Sequence, residues 1–307
     1  MRRVALPLLL LVPACALPAQ VEPPSPRVYD LILFRQAPYA QLTVGGAKGL
    51  FLVDTGANTS GVDETWLRTS GVRYEDAGRS SVGGTTGAIE TGRVVFERID
   101  LGNGFFLKPT FLLQSYAHFA HPDEGAQAGL LGTDLLGRYQ IDLDYASRRL
   151  EVSLRDERPP PPEGFEAVPV EFPLGLPTVR VDVAGVGIPC RLDSGASYID
   201  PEAFLDVNRA AFEAIRASGV PLEKTGEIHV VGISGPESLP LYRGTGEDGL
   251  VLRIGRRRIA GVVLVVHDRG VLAVPEPIAL APASILSRLG RFVLDPFDSR
   301  FWTRSAG

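Results

Sequence analysis

The sequence predicts an all-β protein that is built from two homologous lobes and contains few helices. Short β-type runs are separated by glycine and proline along the chain, one motif that ends a strand occurs twice, and a proline-rich stretch lies between the two copies. The chain has 307 residues, of which 45% are hydrophobic. It is therefore long enough to bury two medium-sized cores.

The chain begins with a pattern that is typical of a secretory signal peptide, which we assign to residues 1–19. Arg2 and Arg3 precede a short apolar run that ends near Ala16. This run is too short to span a bilayer, and no later stretch reaches about 18 residues without charge, so we expect no membrane span. The residues before Cys15 also resemble an imperfect lipoprotein box, which leaves a lipid anchor at Cys15 open. We expect an exported protein, periplasmic or secreted, with or without that anchor.

The charge of the chain argues against a nucleic-acid partner. The formal net charge is −5 at pH 7, which repels phosphate backbones and anionic lipid. Lysine accounts for only three of the 31 basic residues, a usage associated with GC-rich coding, so we expect a bacterial source. Because Cys15 lies in the leader, Cys190 has no partner for an intramolecular disulfide. We interpret Cys190 as a small apolar residue at the end of a strand and not as a catalytic thiol.

A proline-rich stretch at residues 157–164 divides the chain, because it forms a stiff spacer that cannot join the interior of a sheet. It predicts an N-terminal lobe over 27–156 and a C-terminal lobe over 165–307. Both lobes contain runs with β-strand composition: 30–34, 50–53, 92–99 and 105–113, then 178–183, 188–192, 249–254 and 259–266. One helix is predicted from Pro201 to Ser218, with Asp200 as its N-cap.

The two lobes repeat each other, and this repeat is the most informative feature of the sequence. Residues 51–59, Phe-Leu-Val-Asp-Thr-Gly-Ala-Asn-Thr, recur as residues 190–198, Cys-Arg-Leu-Asp-Ser-Gly-Ala-Ser-Tyr. Residues 136–139, Leu-Gly-Arg-Tyr, recur as residues 289–292, Leu-Gly-Arg-Phe. The two offsets, 139 and 153 residues, differ by 14, and we expect the helix at 201–218 to account for that difference.

Each copy of the first motif places an aspartate at the end of a buried strand. A tight turn that glycine permits presents the carboxylate at the lobe surface, while the next hydroxyl can hydrogen-bond to the partner lobe's backbone. Two lobes face to face would bring Asp54 and Asp193 together, so that the pair holds one proton. The ionised member can deprotonate a water while the protonated member donates to a carbonyl oxygen. We therefore predict Asp54 and Asp193 as the catalytic pair, with Thr55 and Ser194 as supporting hydroxyls and no metal or cofactor.

These motifs resemble the signature of the retropepsin-like aspartic proteases in their bacterial single-chain, two-lobed form. Asp54–Ala57 and Asp193–Ala196 match that signature, and Gly129–Leu136 is similar to the family's aliphatic-aliphatic-Gly loop. The resemblance implies two acid-protease-like β-barrel lobes with an active-site cleft between them. It also implies an aspartic endopeptidase, a hydrolase that acts on a peptide or protein substrate. We expect this protein to be a monomer.

The resemblance further implies glycine-rich hairpins that close over the substrate. Two segments have this composition, residues 83–87 in the first lobe and residues 232–235 in the second, although ordinary hairpin turns have it as well. The predicted substrate-binding residues come from these hairpins and from the two aspartate motifs: Gly83, Gly84, Gly235, Gly56, Ala57, Gly195 and Ala196.

One departure from the family pattern supports a second hypothesis. In the second lobe the counterpart of Leu130-Leu131-Gly132 reads as Ile285-Leu286-Ser287, with serine in place of glycine. A lobe that lost the geometry of this loop would leave a catalytically inactive peptide-binding or scaffolding protein with the same two-lobed cleft.

Two other motifs do not point to a cofactor. His118 and His121 lie near acidic residues, but the segment is a loop without a second cluster of metal ligands. Residues 244–249 match the glycine pattern of a dinucleotide site, but a strand pattern follows them where a helix is required.

Overall fold

The structure is a computed structural model that describes residues 27–100, 105–119 and 121–305. Over these residues it contains 23 strands and four α-helices, so the predicted all-β, acid-protease-like fold class is confirmed. The predicted leader at 1–19 and the proposed anchor residue Cys15 lie outside the described residues. Of the helices described, none has both the length and the apolar composition that crossing a bilayer would require.

The first lobe, which we define as residues 27–156, contains most of the strands predicted for it. Its elements, in chain order and within the described residues, are β1 Arg27–Phe34, β2 Ala37–Val44, β3 Ala47–Val53, β4 Gly61–Asp63, α1 Glu64–Ser70, β5 Tyr74–Gly84, β6 Gly87–Phe96, β7 Arg98–Asp100, β8 Phe105–Leu107, β9 Thr110–Gln114, β10 Gln127–Leu131, α2 Thr133–Leu136, β11 Gln140–Asp144 and β12 Arg149–Ser153.

The second lobe, which we define as residues 165–305, repeats this order. Its elements are β13 Phe165–Glu171, β14 Thr178–Val183, β15 Val186–Leu192, β16 Ala203–Asn208, α3 Arg209–Ala217, β17 Leu222–Gly232, β18 Gly235–Gly244, β19 Leu250–Ile254, β20 Arg257–His267, β21 Ala279–Ala281, α4 Ala283–Leu289, β22 Arg291–Asp295 and β23 Arg300–Arg304.

One six-stranded antiparallel sheet joins the two lobes. Its strand order is β1-β12-β11-β22-β23-β13, with three strands from each lobe. At its centre β11 of the first lobe pairs with β22 of the second, and Ile141 lies opposite Leu294. The order of corresponding strands is the same from either edge, so the sheet has an approximate twofold axis between β11 and β22.

Each lobe also has its own sheet, and the pairing that surrounds the aspartate motif is the same in both. In the first lobe β3 pairs parallel with β10, β10 antiparallel with β4, and β4 parallel with β9. In the second lobe the corresponding pairs are β15 with β21, β21 with β16, and β16 with β20. These pairings define which residues of the two lobes are equivalent.

The helix predicted over Pro201–Ser218 is wrong in its first half. Residues 203–208 form strand β16, and helix α3 begins at Arg209, where the Asn208 side chain accepts a hydrogen bond from the Ala211 backbone N–H at 2.9 Å. All six residues of β16 are buried. A strand that is buried on both faces has no alternation of apolar and polar residues, so its pattern cannot be told from that of a buried helix.

Helix α3 is also not the source of the length difference between the lobes. The first lobe has a corresponding helix, α1, whose N-cap Asp63 accepts from the Trp66 N–H as Asn208 does in α3. Nine residues separate Asp54 from Asp63, whereas 15 separate Asp193 from Asn208. Six of the 14 additional residues therefore precede the N-cap of α3, three in the loop before β16 and three in β16, which is longer than β4.

Aromatic side chains fill the core beneath the joining sheet. Phe292 on β22 and Phe301 on β23 are both fully buried, and their ring centroids lie 5.3 Å apart. Strands β22 and β23 belong to the joining sheet, where β22 pairs with β11 of the first lobe. The contact between the two rings therefore stabilises the sheet that joins the lobes.

We expect Phe301→Ala to lower the free energy of unfolding by about 3–5 kcal/mol, because it removes a buried ring and leaves a cavity. Urea denaturation followed by circular dichroism measures the change. Arg304→Ala on the same strand is the control, since Arg304 is exposed and its truncation should change stability by about 0.5 kcal/mol or less. Equal losses in the two variants would contradict the assignment of this core.

Candidate active site

Asp54 and Asp193 occupy equivalent positions at the ends of β3 and β15. The Asp54 N–H donates to Leu131 O, and the Asp193 N–H donates to Ala281 O, each at 3.0 Å. Each carboxyl is also held by its own turn through Oδ1. That of Asp54 accepts from the backbone N–H groups of the next glycine and alanine at 2.8 and 3.1 Å, and that of Asp193 at 3.0 and 2.8 Å. The two side chains also hydrogen-bond to each other.

The glycine of each motif is required by the closeness of the opposite carboxyl. A Cβ added at Gly56 would collide with the Asp193 carboxyl group, and one added at Gly195 would collide with that of Asp54. Only glycine leaves this space, so the residue after each Thr or Ser has to be glycine for the two acids to meet.

Thr55 and Ser194 join the lobes by four reciprocal hydrogen bonds. Thr55 Oγ1 donates to Leu192 O at 2.8 Å and accepts from the Ser194 N–H at 3.1 Å. Ser194 Oγ donates to Val53 O at 2.7 Å and accepts from the Thr55 N–H at 3.1 Å. Both side chains are fully buried, so the bonds are shielded from competing water.

Burial raises the pKa of both carboxyls, but not equally. Burial and then the charge of Asp54 raise the pKa of Asp193 well above its usual range. Burial also raises the pKa of Asp54, against the opposing hydrogen bonds from Gly56, Asp193 and Ala57. Asp193 is the more buried of the two. The two carboxyls therefore share one proton, and they titrate as a pair.

The loop behind Asp193 differs from the expectation, because its counterpart of Leu130-Leu131-Gly132 is Leu280-Ala281-Pro282 and not 285–287. The Thr133 N–H donates to Ala57 O at 2.8 Å, and the equivalent Ala283 N–H donates to Ala196 O at 2.9 Å. Ser287 lies inside α4. The sequence pattern indicated the wrong residues because Pro282 replaces the glycine of the motif. The helix that follows, α4, contains a second aliphatic pair, Ile285 and Leu286.

A groove of about 2050 Å³ lies over the two carboxyls and is lined by residues of both lobes. Six of the seven predicted substrate-binding residues line it: Gly56, Ala57, Gly195, Ala196, Gly83 and Gly84. The seventh, Gly235, is not on its wall; it begins β18 with a φ of 113°, which glycine adopts without strain. Its neighbour Ile233 lines the groove instead.

The hairpins β5–β6 and β17–β18 meet above the groove. Thr86 Oγ1 at one tip accepts from the Ser234 N–H at the other at 3.2 Å, and the two hydroxyl oxygens lie 2.9 Å apart. A Cβ at Gly84 would collide with Ile233 of the opposite tip. The glycine at this tip therefore allows the two hairpins to contact each other, in addition to any role in the turn itself.

Several groove residues have no motif in the sequence and were not among the predicted site residues. They include two tyrosines that pack beside the aspartates and three polar or charged residues further along the groove: Tyr116, Tyr198, Arg93, Asp206 and His267. Two of them, Asp206 and His267, stand where the first lobe has Gly61 and Gln114, so a register-by-register comparison of the lobes would have singled them out.

The contacts of the other candidate residues do not indicate a catalytic or ligand-binding role. Cys190 is fully buried and burial raises the pKa of its thiol far above the usual range, so it is not a reactive thiolate. The His118 ring packs on Phe119 with centroids 4.2 Å apart, and His121 Nδ1 lies 3.0 Å from Pro122 O. Residues 244–249 connect strands β18 and β19.

A comparison with known families agrees with this geometry. Residues 40–135 match a family model described as aspartyl protease. The matched segment contains Asp54, Thr55, Gly56 and the loop that supports them, and it ends before the second copy of the motif. No curated protein matches the chain.

We expect Thr55→Val to lower the free energy of unfolding by about 2–4 kcal/mol, because it leaves Leu192 O and the Ser194 N–H buried without partners. Chemical denaturation measures the loss. Thr59→Val is the matched control, since the Thr59 hydroxyl bonds only to the exposed side chain of Asn58. A loss for Thr55→Val no greater than that of the control would show that the reciprocal bonds do not hold the lobes together.

The raised pKa of Asp193 predicts a stability that falls as pH rises. Because the pKa in the folded protein lies above the ordinary value of 3.8, folding favours the protonated acid. This contribution is complete below pH 3.8 and is lost as pH rises through the raised pKa. Asp193→Asn removes it, so the melting temperature of the variant should increase relative to that of the wild type between about pH 4 and 7. A constant difference across this range would contradict the raised pKa.

Proposed function

We propose that this chain, a member of the aspartyl protease family, is an endopeptidase that hydrolyses peptide bonds with Asp54 and Asp193. One observation carries the proposal: two carboxyl groups, one from each lobe, share a hydrogen bond at the floor of a groove that both lobes line. Buried acids are costly to bring together, and a protein that does so at the base of an open groove has a use for their shared proton.

The proposed reaction gives a different role to each acid, with Asp54 as the ionised member of the pair and Asp193 as the protonated one. Ionised Asp54 takes a proton from a water, whose oxygen attacks the carbonyl carbon of the substrate. Asp193 donates its proton to the carbonyl oxygen, so that no free oxyanion forms. Asp54 then passes its proton to the amide nitrogen, Asp193 recovers one from a hydroxyl of the tetrahedral intermediate, and the C–N bond breaks. The pair returns to its starting state with one proton.

The roof of the groove supports a peptide as the substrate. The two hairpins meet through a polar contact between exposed tips, which is worth only about 0.5–1.5 kcal/mol and therefore opens readily. Closing over a bound chain would exclude bulk water from the acids and hold the substrate extended below the tips.

The geometry of the loop behind Asp193 favours the endopeptidase over the second hypothesis, an inactive protein with the same cleft. That hypothesis depended on a serine in the loop behind Asp193, and the structure assigns that loop to Leu280-Ala281-Pro282. Asp193 is held by the same set of backbone hydrogen bonds as Asp54.

The setting of the proposed enzyme follows from the sequence and from the composition of the site. The charged and apolar residues of the leader support export to the periplasm or the medium. Since one chain supplies both acids and both hairpins, a monomer is sufficient for activity.

We expect Asp54→Asn to lower kcat about a thousandfold or more, because an amide cannot accept the proton of the attacking water. Cleavage of unfolded casein, followed by the release of soluble peptides, measures the loss. Asp123→Asn, which changes an exposed loop aspartate, is the control and should retain wild-type activity. Unchanged cleavage by Asp54→Asn, or no cleavage by the wild type from pH 3 to 8, would refute the proposed function.

A further inference from the structure

A second group of titratable side chains lies in the groove on the second-lobe side of Asp193. Asp206 on β16 places its Oδ1 2.5 Å from Tyr198 Oη and 2.5 Å from His267 Nε2. All three side chains line the groove, although Asp206 and His267 are only 3% and 2% exposed. The proposed reaction uses none of them.

Hydrogen-bonding capacity remains unused in this group. Within the described part of the chain, Asp206 Oδ2 and His267 Nδ1 are buried and have no hydrogen-bond partner. Oε2 of Glu237 on β18 is also buried without a partner; Glu237 does not line the groove itself, but its charge acts on His267. Buried polar atoms without a partner are rare in folded proteins, and atoms that line a groove can obtain one from a ligand.

Asp206 occupies a position at which the first lobe has no side chain. It lies opposite Leu280 in the pairing of β16 with β21, as Gly61 lies opposite Leu130 in the pairing of β4 with β10. In the first lobe the space beside this glycine is taken by the hydroxyl of Tyr116, with which a Cβ would collide. The carboxyl group of Asp206 is therefore specific to the second lobe.

The other two members of the group are also specific to the second lobe. His267 lies opposite Asn208, whereas the equivalent residue opposite Asp63 is Gln114. Glu237 belongs to the third pair from the tip of its hairpin, and the equivalent residue of the first hairpin is Ile89. At three equivalent positions, therefore, the first lobe has an uncharged residue and the second lobe has a titratable one.

Carboxyl groups outnumber the imidazole in this group, because Asp206 and Glu237 accompany one His267. Burial lowers the pKa of His267, but the hydrogen bond and charge of Asp206, with the charges of Glu237 and Asp268, outweigh it and raise the pKa. Asp268 is neutralised separately by its ion pair with Arg209 at 2.7 Å. Tyr198 stays neutral, because burial raises the pKa of its hydroxyl well above the usual range.

Apolar side chains form the walls through which this charged group is reached. Ile228 and Val230 of the hairpin and Leu280 beside Asp193 line the same part of the groove. Ile228 and Val230 pack over a buried cluster that includes Phe204 and Val265. Apolar walls above an anionic end suit a side chain with a long aliphatic stem and a cationic head.

We propose that Asp206, Glu237 and His267 form a subsite that binds a lysine or arginine side chain of the substrate, next to the bond that is cleaved. Carboxylate oxygens only accept hydrogen bonds, and an ammonium or guanidinium group only donates them, so the two are complementary. This proposal rests on the proposed function, since it names the residue that the endopeptidase selects.

A peptide series tests the proposal. Quenched fluorescent peptides are varied at each of the two residues that flank the cleaved bond, with lysine, arginine, norleucine, glutamine or glutamate, while the remaining sequence is kept constant. Norleucine is the decisive comparison, because it keeps the aliphatic stem of lysine without its charge. We expect kcat/KM for lysine or arginine to exceed that for norleucine at least about tenfold at one of the two positions.

Variants identify the residues that cause this preference. Asp206→Asn and Glu237→Gln should each reduce the ratio of kcat/KM for lysine to that for norleucine at least about threefold. Asp206 is buried, so Asp206→Asn could fail to fold; in that case Glu237→Gln alone tests whether the subsite causes the preference, since Glu237 is only half-buried on a hairpin. Glu90→Gln is the matched control, because it removes an exposed carboxylate from the first hairpin and should leave the ratio unchanged.

Binding separates this proposal from the proposed function. Fluorescence anisotropy compares the Kd of the lysine and norleucine peptides for the wild type and for Asp54→Asn. Cleavage without a preference for basic residues, or a preference for glutamine, overturns the subsite and leaves the endopeptidase. Absence of cleavage with tighter binding of the lysine peptide overturns the endopeptidase and supports the subsite. If neither cleavage nor a binding preference is found, both fail.

Discussion

The whole site depends on the four hydrogen bonds that Thr55 and Ser194 exchange across the lobes. They set the distance between two turns, and that distance brings two acids close enough to share a proton. Burying two acids side by side costs free energy, and the buried reciprocal bonds together with the joining sheet offset this cost. The same bonds explain why a hydroxyl follows each aspartate and why glycine follows the hydroxyl.

Much of this arrangement could be predicted from the sequence, because it depends on local patterns that occur twice. The duplicated Asp-Thr/Ser-Gly-Ala segments indicated both acids and both hydroxyls, and the spacing of apolar runs indicated the strands. Strand β16 was assigned to a helix because it is buried on both faces, and the loop at Pro282 was missed because its motif changed. Long-range groups such as Asp206 and His267 could not be predicted, since residues 61 apart are brought together only by sheet pairing.

The two lobes share a framework but differ in the chemistry of their inner walls. Backbone pairing, helix caps and the turns that hold the acids are equivalent. The side chains that line the groove differ, since the first lobe has Gly61 and Gln114 where the second has Asp206 and His267. Duplication thus conserved the parts that position the reaction and left the parts that contact the substrate free to diverge. The surroundings of the two acids differ as well. The charge of Asp206 raises the pKa of Asp193, and the equivalent residue in the first lobe is Gly61.

The closed roof has a consequence for which substrates the proposed endopeptidase could admit. With Thr86 and Ser234 in contact, the two hairpins enclose the groove from above. The joining sheet fixes the two lobes relative to each other, so the groove opens by separation of the hairpin tips. A folded domain cannot be threaded through such a passage, whereas an unwound terminus or a long unstructured loop can. Selection would then begin with the conformation of the substrate, since an extended segment fits below the hairpins and a compact one does not.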